Sequence, residues 1–399
     1  MKINNKFCAK VFTLVTVIGS VSVSSCRKEE QVKLDSQSVQ VSKETLSIKA
    51  ISYVPVSDSA YKAVKIGRKA FYLEKALPVG YIKDGTVDYT KYVQAAIFKN
   101  SEVIFPAFPI LINRNGLMVR SNRTLTFLKG SEIRLKPTND NSYRIFNIAN
   151  ANNVTLNNPV IVGDRIQHLA HGGRAGVGLG VYSSTNVVVN NPRVFNCWGD
   201  GIYLGRASAR THNKNIQIFN PYVSGSGRNG MSVITVDSLK VDNGYFAHSG
   251  LTGLDIEGNY GDEEIRNITL KNITTDHNSY NGLTVALSRI FDKRDKSLGE
   301  IIIINHRDIS SKNYSFKTTV REPVKGMGKI EGQITVINPV WENPGSGRPN
   351  FNSISQKDLK VKIKNPTVIT GTKLLTFEEC LKILKRNIKT GTNVEISAN

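Results

Sequence analysis

The feature of this 399-residue chain that most constrains its fold is a short segment that recurs eight times between residues 153 and 366. Each copy has apolar residues at its second and fourth positions and asparagine at its sixth, as in NVTLNNP and NVVVNNP. The gaps between successive asparagines run from 23 to 33 residues. A repeat of this length predicts stacked units that bury one continuous core. The recurring asparagines are Asn158, Asn191, Asn220, Asn243, Asn272, Asn305, Asn338 and Asn365.

A second series of apolar segments follows the asparagines. Each begins with glycine, as in GIYLG and GLDIE, and successive glycines are 23, 29, 23 and 29 residues apart. The glycines are Gly178, Gly201, Gly230, Gly253 and Gly282. Two registers that share one period predict coils with two short strands each. Asparagine suits the corner between the strands, because it tolerates the left-handed backbone region and its amide can bond to a stacked neighbour.

The repeated corner resembles the asparagine ladder of right-handed parallel β-helices such as the pectate lyases. This resemblance to the pectate-lyase-like superfamily covers most of residues 85–370. It implies an all-β fold, a right-handed single-stranded parallel β-helix whose coils stack about 4.8 Å apart. The superfamily includes lyases, hydrolases, epimerases and phage tailspikes, so the resemblance implies a carbohydrate-active protein but leaves the reaction open.

Both ends of the repeat carry helical patterns that predict caps. The amphipathic segment 88–100 resembles the helix that covers the open first coil in this superfamily. Segment 376–388 has Thr376 as a candidate N-cap and acidic residues in its first turn, so we expect a second helix over the last coil. Residues 51–85 are expected to add N-terminal strands.

The N-terminus has the pattern of a targeting segment. Three lysines precede an apolar run that is too short to span a membrane, and the run ends at VSSC. This ending resembles the lipobox of bacterial lipoproteins, which implies a signal peptide over residues 1–25 and lipidation of Cys26. Residues 26–50 then form a tether and residues 51–399 the β-helix domain. A plain secretory signal is the alternative.

These features predict a location in the cell envelope. The lipid would anchor it to the outer membrane, and RKEEQ after Cys26 resembles a surface-export signal. Cys197 and Cys380 are too few for a disulfide framework and are expected to be buried thiols. The formal net charge of +21 favours an anionic partner, and in the absence of nucleic-acid-binding motifs an acidic polysaccharide is preferred. We expect a monomer.

Strand alternation predicts which residues of the second series face solvent. Apolar residues such as Ile202 and Leu204 should point inward, which turns Tyr203 outward. The same argument turns Asp255 and Glu257 outward from one strand, with Tyr203 two coils away. Stability gives no obvious reason for two neighbouring carboxylates, so they are candidates for an acid/base pair or a calcium site.

Other polar residues flank this face. Asp200 and Asn229 precede the glycines of adjacent coils, and Arg206 and Arg228 lie beside the same strands. Asp200 is equally well explained as a corner residue that accepts backbone hydrogen bonds. The glycine-rich loop 163–176 can fold over the face, and its candidate site residues are His168, His171 and Arg174.

The preferred hypothesis is a lyase that cleaves a uronate-containing polysaccharide by β-elimination. This reaction needs a group that neutralises the uronate carboxylate and a base that removes the adjacent proton. The neutralising candidates are Arg228, Asn229 and calcium bound by Asp255 and Glu257. The candidate bases are Tyr203, His168 and His171. Tyr203 would need a neighbouring positive charge, for which Arg206 is nearest in sequence.

Two alternatives remain. In a glycoside hydrolase of the inverting type, Asp255 and Glu257, with Asp200, would supply the acid and the base. In a non-catalytic surface protein, the same face would only bind carbohydrate, with Arg174, Arg206 and Arg228 holding anionic groups. The polygalacturonase motif N-T-D-G is matched only at its last two positions, so that mechanism does not carry over residue by residue.

Overall fold

The chain winds into a parallel β-helix of about ten turns. The structure, a computed structural model, describes residues 55–320, 325–344, 350–354, 359–386, 388 and 393–398. The predicted signal segment, Cys26 and the tether lie outside these residues, as do residues 51–54. Three parallel sheets, A, B and C, form the three sides of the coil, and a final short strand of sheet B pairs antiparallel.

The strands are numbered along the chain. Sheet A contains β1 (Phe71–Tyr72), β2 (Glu102–Phe105), β5 (Arg123–Phe127), β8 (Asn152–Asn157), β11 (Thr185–Asn190), β14 (Asn213–Phe219), β17 (Val236–Asp242), β20 (Ile265–Lys271), β23 (Lys296–Ile304), β26 (Ile330–Ile337), β29 (Leu359–Lys364) and β32 (Val394–Ser397). Sheet B contains β3 (Pro109–Ile112), β6 (Glu132–Leu135), β9 (Val160–Val162), β12 (Arg193–Phe195), β15 (Tyr222–Ser224), β18 (Tyr245–Ala247), β21 (Thr274–Asp276), β24 (Arg307–Ile309), β27 (Val340–Glu342), β30 (Thr367–Thr370) and β31 (Lys373–Leu374). Sheet C contains β4 (Leu117–Val119), β7 (Arg144–Ala149), β10 (Val177–Tyr182), β13 (Ile202–Gly205), β16 (Met231–Val233), β19 (Leu254–Glu257), β22 (Asn281–Ala286), β25 (Tyr314–Val320) and β28 (Asn350–Ile354).

The predicted asparagine ladder is confirmed at the corner between sheets A and B. All eight asparagines have φ between 49° and 57°, in the left-handed region. Asn191 donates from Nδ2 to Oδ1 of Asn158 at 2.7 Å and accepts from Asn220 at 2.7 Å. The ladder has one break, where Asn272 donates to Asp242 instead.

Each coil has three strands, whereas the sequence predicted two. The extra strand belongs to sheet B, begins two residues after the ladder asparagine in most coils, and is often only three residues long. A second ladder also stands at the entry to sheet A, where Asn153, Asn186 and Asn215 bond in series at 2.8–3.0 Å. These are the first residues of three of the repeated segments, so in these coils asparagines stand near both ends of the sheet A strand.

The core runs along the axis of the coil. Inward side chains of all three sheets are fully buried, and the predicted inward residues of sheet C have no exposed surface. These are Ile202, Leu204, Met231, Val233, Leu254, Ile256, Leu283 and Val285. Cys197 and Cys380 are buried free thiols, as predicted. Burial of apolar area along every coil is what stabilises the stack.

Both predicted caps are present. Helix α2 (Thr90–Lys99) buries Val93, Ala96 and Ile97 against the first coil. Helix α3 (Phe377–Lys385) begins with a capping box formed by Thr376 and Glu379, and its Cys380 and Leu384 join the core. Strand β32 follows α3 and extends sheet A by one strand.

The N-terminal part differs from the expected set of strands. Its described residues, 55–85, contain the short helix α1 (Asp58–Ala63) and a 3-10 helix (Leu73–Ala76), with β1 as the one strand there. Ser57 accepts a hydrogen bond from the backbone N–H of Ala60 and so caps α1. No helix within the described ranges is both long and apolar enough to cross a bilayer.

Candidate functional site

The outer face of sheet C carries the residues that the sequence placed there. Residues stack coil upon coil in the order Tyr203, Ser232, Asp255 and Thr284. Tyr203 and Asp255 are thus two coils apart with Ser232 between them, as predicted. This outer face is called the sheet C face below.

Asp255 and Glu257 project side by side from β19. Leu254 and Ile256 alternate with them and are fully buried, which fixes both carboxylates on the sheet C face. Both acidic residues are half-buried. The α-carbons at positions i and i+2 of a strand are about 6.6 Å apart, so the two side chains are neighbours on the same face.

Asp200 lies beneath this face at the corner before β13. It is only 2% exposed, and its Oδ1 accepts a hydrogen bond from the backbone N–H of Asn229 at 2.9 Å. Burial raises the pKa of the Asp200 carboxyl, although Arg228 opposes the shift. Asp200 therefore has the structural role of a corner acceptor that the sequence allowed.

Arg228 and Asn229 connect Asp200 to the exposed carboxylates. Arg228 Nε is 3.8 Å from Asp200 Oδ1, and this neighbour raises the pKa of the guanidinium. Arg228 remains partly exposed, and its electrostatic partners also include Glu257 and Asp255. The Asn229 amide donates to Ser232 at 3.0 Å and, more distantly, to Asp255 at 3.5 Å. The structure thus gathers these predicted residues into one cluster.

Tyr203 forms an aromatic pair with Tyr182, which the sequence reasoning missed. The ring centroids are 5.7 Å apart, and each ring lies over a glycine of its own strand, Gly205 and Gly180 respectively. A Cβ at either glycine would come within 2.4 Å of a ring carbon, so only glycine allows this arrangement. The spacing Gly-x-Tyr in β10 and Tyr-x-Gly in β13 was the available signal.

The pKa of Tyr203 is raised, which disfavours this residue as a base. Burial is the main cause and raises the pKa of the phenol, and Asp200 and Tyr182 raise it further. Arg228 is the cation that lowers it, rather than the expected Arg206. A phenol with a raised pKa keeps its proton near neutral pH, so it can still donate a hydrogen bond but does not act as a base.

Arg206 is engaged at the far end of the strand. Its Nη1 is 2.6 Å from Asp262, its Nε is 3.4 Å from Glu263, and its guanidinium lies over Tyr260 at 4.4 Å. These contacts join the loop after β13 to the loop after β19, where Asp262 also accepts from the backbone of Arg210. Arg206 therefore holds these two loops together at one edge of the sheet C face.

The loop 163–176 packs on the corners between sheets B and C. His168 is buried there, stacks on Trp198 at 4.0 Å, and bonds through Nδ1 to Asp164 at 2.8 Å. Asp164 also accepts from the Tyr143 hydroxyl and from the backbone of Thr138. This network leaves His168 as an anchor for the loop.

The other two candidates of this loop are exposed. Arg174 donates to the carbonyl of Gly227 at 3.2 Å and lies over Trp198 at 5.6 Å. This contact places Arg174 next to the coil that carries Arg228. His171 is exposed on the same loop, and its role remains a prediction.

The described residues contain no group of three or more histidine, cysteine or acidic side chains placed to hold a metal. The expected calcium position at Asp255 and Glu257 thus has two protein carboxylates. Calcium takes six to eight oxygen ligands, so most of its ligands there would come from water or from substrate.

Two bacterial proteins are similar to the chain in sequence, while no family model matches it. Uncharacterized protein YclG of Bacillus subtilis strain 168 is 25% identical over 243 residues. SPbeta prophage-derived uncharacterized protein YorA of the same strain is 26% identical over 167 residues. The matches cover 51% and 37% of this chain but 41% and 28% of those proteins. The chain thus spans less than half the length of the curated relatives it matches.

Several solved structures share the fold. The surface protein and adhesin PfbA of Streptococcus pneumoniae has a TM-score of 0.57 at 11% identity, over 82% of this chain and 88% of PfbA. The N-terminal fragment of bacteriophage Phi29 gene product 12 has a TM-score of 0.58 at 18% identity, over 75% and 53%. A mutant tailspike of E. coli bacteriophage HK620, solved with a hexasaccharide, has a TM-score of 0.56 at 13% identity, over 75% and 57%. By fold, the chain is a parallel β-helix similar to surface adhesins and phage tail proteins.

Proposed function

We propose that the protein binds a polysaccharide along the sheet C face and hydrolyses it, with Asp255 and Glu257 as the reacting carboxylates. The main support for this proposal is that the two carboxylates are half-buried neighbours on one face, close to the partly exposed Arg228. Inverting glycoside hydrolases place an acid and a base about 6.5–9.5 Å apart to leave room for water. The α-carbons of adjacent outward positions of a strand are about 6.6 Å apart, so side chains that leave them in the same direction can hold their carboxyl groups at such a separation.

The surrounding residues support binding of sugar rings at this position. Tyr203 offers an aromatic surface two coils away, and Arg228 offers a donor for anionic or hydroxyl groups of a glycan. The loop that follows β13 and carries Arg206 lies at one edge of this face. The loop 163–176, which carries Arg174, lies at the other edge. The HK620 tailspike, whose fold is similar, was solved with a hexasaccharide, which is consistent with a glycan on a β-helix of this kind.

β-Elimination on a uronate is the second candidate. It is favoured by Arg228, which can neutralise a substrate carboxylate, and by the net charge of +21. In this mechanism calcium at Asp255 and Glu257 would assist Arg228 and Asn229. The raised pKa of Tyr203 disfavours this residue as the base, which leaves the exposed His171.

A panel of polysaccharides tests these proposals. Polygalacturonate, alginate, chondroitin sulfate and neutral glycans are incubated with the full chain, and reducing ends and ultraviolet absorbance are recorded together. Hydrolysis gives reducing ends without new absorbance, whereas elimination gives both because it creates an unsaturated sugar. A protein that only binds gives neither. A calcium chelator should leave hydrolysis unchanged and abolish calcium-assisted elimination.

The location at the outer membrane is part of the same proposal. Its support is the sequence before and after Cys26, where a lipid would attach the enzyme to the cell envelope. Metabolic labelling with palmitate should mark the wild-type protein and fail to mark C26S. Equal labelling of both would contradict the anchor. Light scattering of the soluble domain should give the mass of a monomer.

A further inference from the structure

Two cations reach the sheet C face on either side of the carboxylate pair. Lys317 is in the same outward row as Thr284 and Asp255. Arg144 stands at the entry to its strand, paired with Val177, and its guanidinium reaches the outer face at the Tyr182 ring. Arg144 belongs to β7 and Lys317 to β25, and Asp255 lies between them on β19. The order of strands in sheet C places Arg144 four coils before Asp255 and Lys317 two coils after it. At about 4.8 Å per coil, the two cations are about 29 Å apart along the axis.

Each cation lies against tyrosine instead of an acid. The Arg144 guanidinium lies 4.9 Å from the centre of the Tyr182 ring. The Lys317 ammonium lies 5.7 Å from the ring centres of both Tyr280 and Tyr314. Within the described ranges, neither cation has a carboxylate within 4.0 Å, whereas Arg206, Arg266, Arg294 and Arg307 all do.

An aromatic neighbour orients a cation without neutralising it. The ring quadrupole attracts the positive charge, but the donor groups stay available for a ligand anion. Arg144 is exposed and Lys317 is half-buried, so both can meet a bound chain. A polysaccharide that follows the axis of the coil would contact both cations and the carboxylates between them.

We propose that Arg144 and Lys317 bind the anionic groups of the polysaccharide, so that the face selects a charged glycan over a neutral one. The inference rests on the proposed binding function of the same face and names its substrate class. The carboxylates Asp255 and Glu257 would repel an anion at the centre, and the flanking cations offset this repulsion. Carboxylate and sulfate groups share the required chemistry.

Binding experiments test the inference separately from cleavage. The full chain carrying E257Q is titrated with polygalacturonate, dextran sulfate and neutral dextran, which separates carboxylate, sulfate and uncharged ligands. R144Q and K317Q are added to this background one at a time. K240Q is the matched control, because Lys240 also lies over an aromatic ring, that of Phe219 at 5.3 Å, but on sheet A.

We expect an anionic probe to bind more tightly than dextran, and R144Q and K317Q each to weaken that binding about tenfold. K240Q should bind as the E257Q parent does, and added salt should weaken the parent more than R144Q or K317Q. Equal affinity for dextran, no binding of either anionic probe, or equal affinities in R144Q, K317Q and K240Q would overturn the inference. Cleavage is measured separately, so charge selection can fail while hydrolysis stands, and the reverse.

Discussion

The guanidinium of Arg228 lies 3.8 Å from the carboxyl of Asp200, which is almost wholly buried beneath it. Asp200 is thus buried at the corner before β13, whereas the side chain of Arg228 is partly exposed on the sheet C face. Asp200 therefore contributes both to the stability of the corner and to the charge environment of Arg228. Two predictions about Asp200 follow from this arrangement.

Two substitutions of Asp200 should distinguish the contribution of its hydrogen bond to stability from the contribution of its charge. D200A removes the acceptor of the buried backbone N–H of Asn229 and should lower the free energy of unfolding by about 1–3 kcal/mol. D200N keeps an oxygen at that position and should lose less. Urea unfolding of both variants measures the difference, and equal losses would contradict the proposed role of the acceptor.

The pH dependence of stability should report the burial of Asp200. Burial raises its pKa in the folded state, so its contribution to stability is fully present below the unfolded pKa of about 3.9. As pH rises toward the folded pKa, this contribution is lost, because only the unfolded state releases the proton. The stability of wild type relative to D200N should therefore fall as pH rises above about 4. A rise in this difference would contradict the assignment.

The ladder makes a prediction at Asn191. This residue has φ of 52°, donates to Asn158 and accepts from Asn220. N191G should lower the free energy of unfolding by about 1–3 kcal/mol through the lost hydrogen bonds. N191A should lose about 1–2 kcal/mol more, because alanine is strained in the left-handed region. Denaturant unfolding measures both, and an N191A protein as stable as N191G would show that the backbone conformation is unimportant.

The anchor of loop 163–176 makes a prediction about local stability. His168 stacks on Trp198 and bonds to Asp164, whereas His171 of the same loop is exposed. H168A should therefore increase amide hydrogen exchange in this loop while β13 and β16 stay protected. H171A is the matched control and should exchange as the wild type does. Unchanged exchange in H168A would mean that other contacts hold the loop.

The sequence predicted the features that repeat. The asparagines at 158 and 191 and the glycines at 201 and 230 share one period, and a period is visible without knowledge of tertiary contacts. Alternation within β19 then placed Asp255 and Glu257 on the outside, and the structure confirms that placement. Strand alternation and coil stacking thus predicted the arrangement of Tyr203 and the two carboxylates.

Features that depend on single long-range contacts were not predictable. Most strands of sheet B, such as β9 and β12, are three residues long, which is too short to show alternation. The ion pair of Arg206 joins it to Asp262, 56 residues away, and no pattern in the sequence links them. The burial of Asp200 depends on how the corners of adjacent coils pack. Asn153 and Asn186, by contrast, stand at the first position of two successive repeats, so the second ladder was predictable from the sequence.

The central claim is that Asp255 and Glu257 cleave a glycan on the sheet C face. The most direct measurement is the release of reducing ends from the best polysaccharide substrate by D255N and E257Q, with circular dichroism to confirm the fold. E331Q is the control, because Glu331 is a half-buried carboxylate on sheet A. We predict that each site variant loses at least about 100-fold in rate while E331Q keeps wild-type activity. Wild-type rates in both D255N and E257Q would contradict the account.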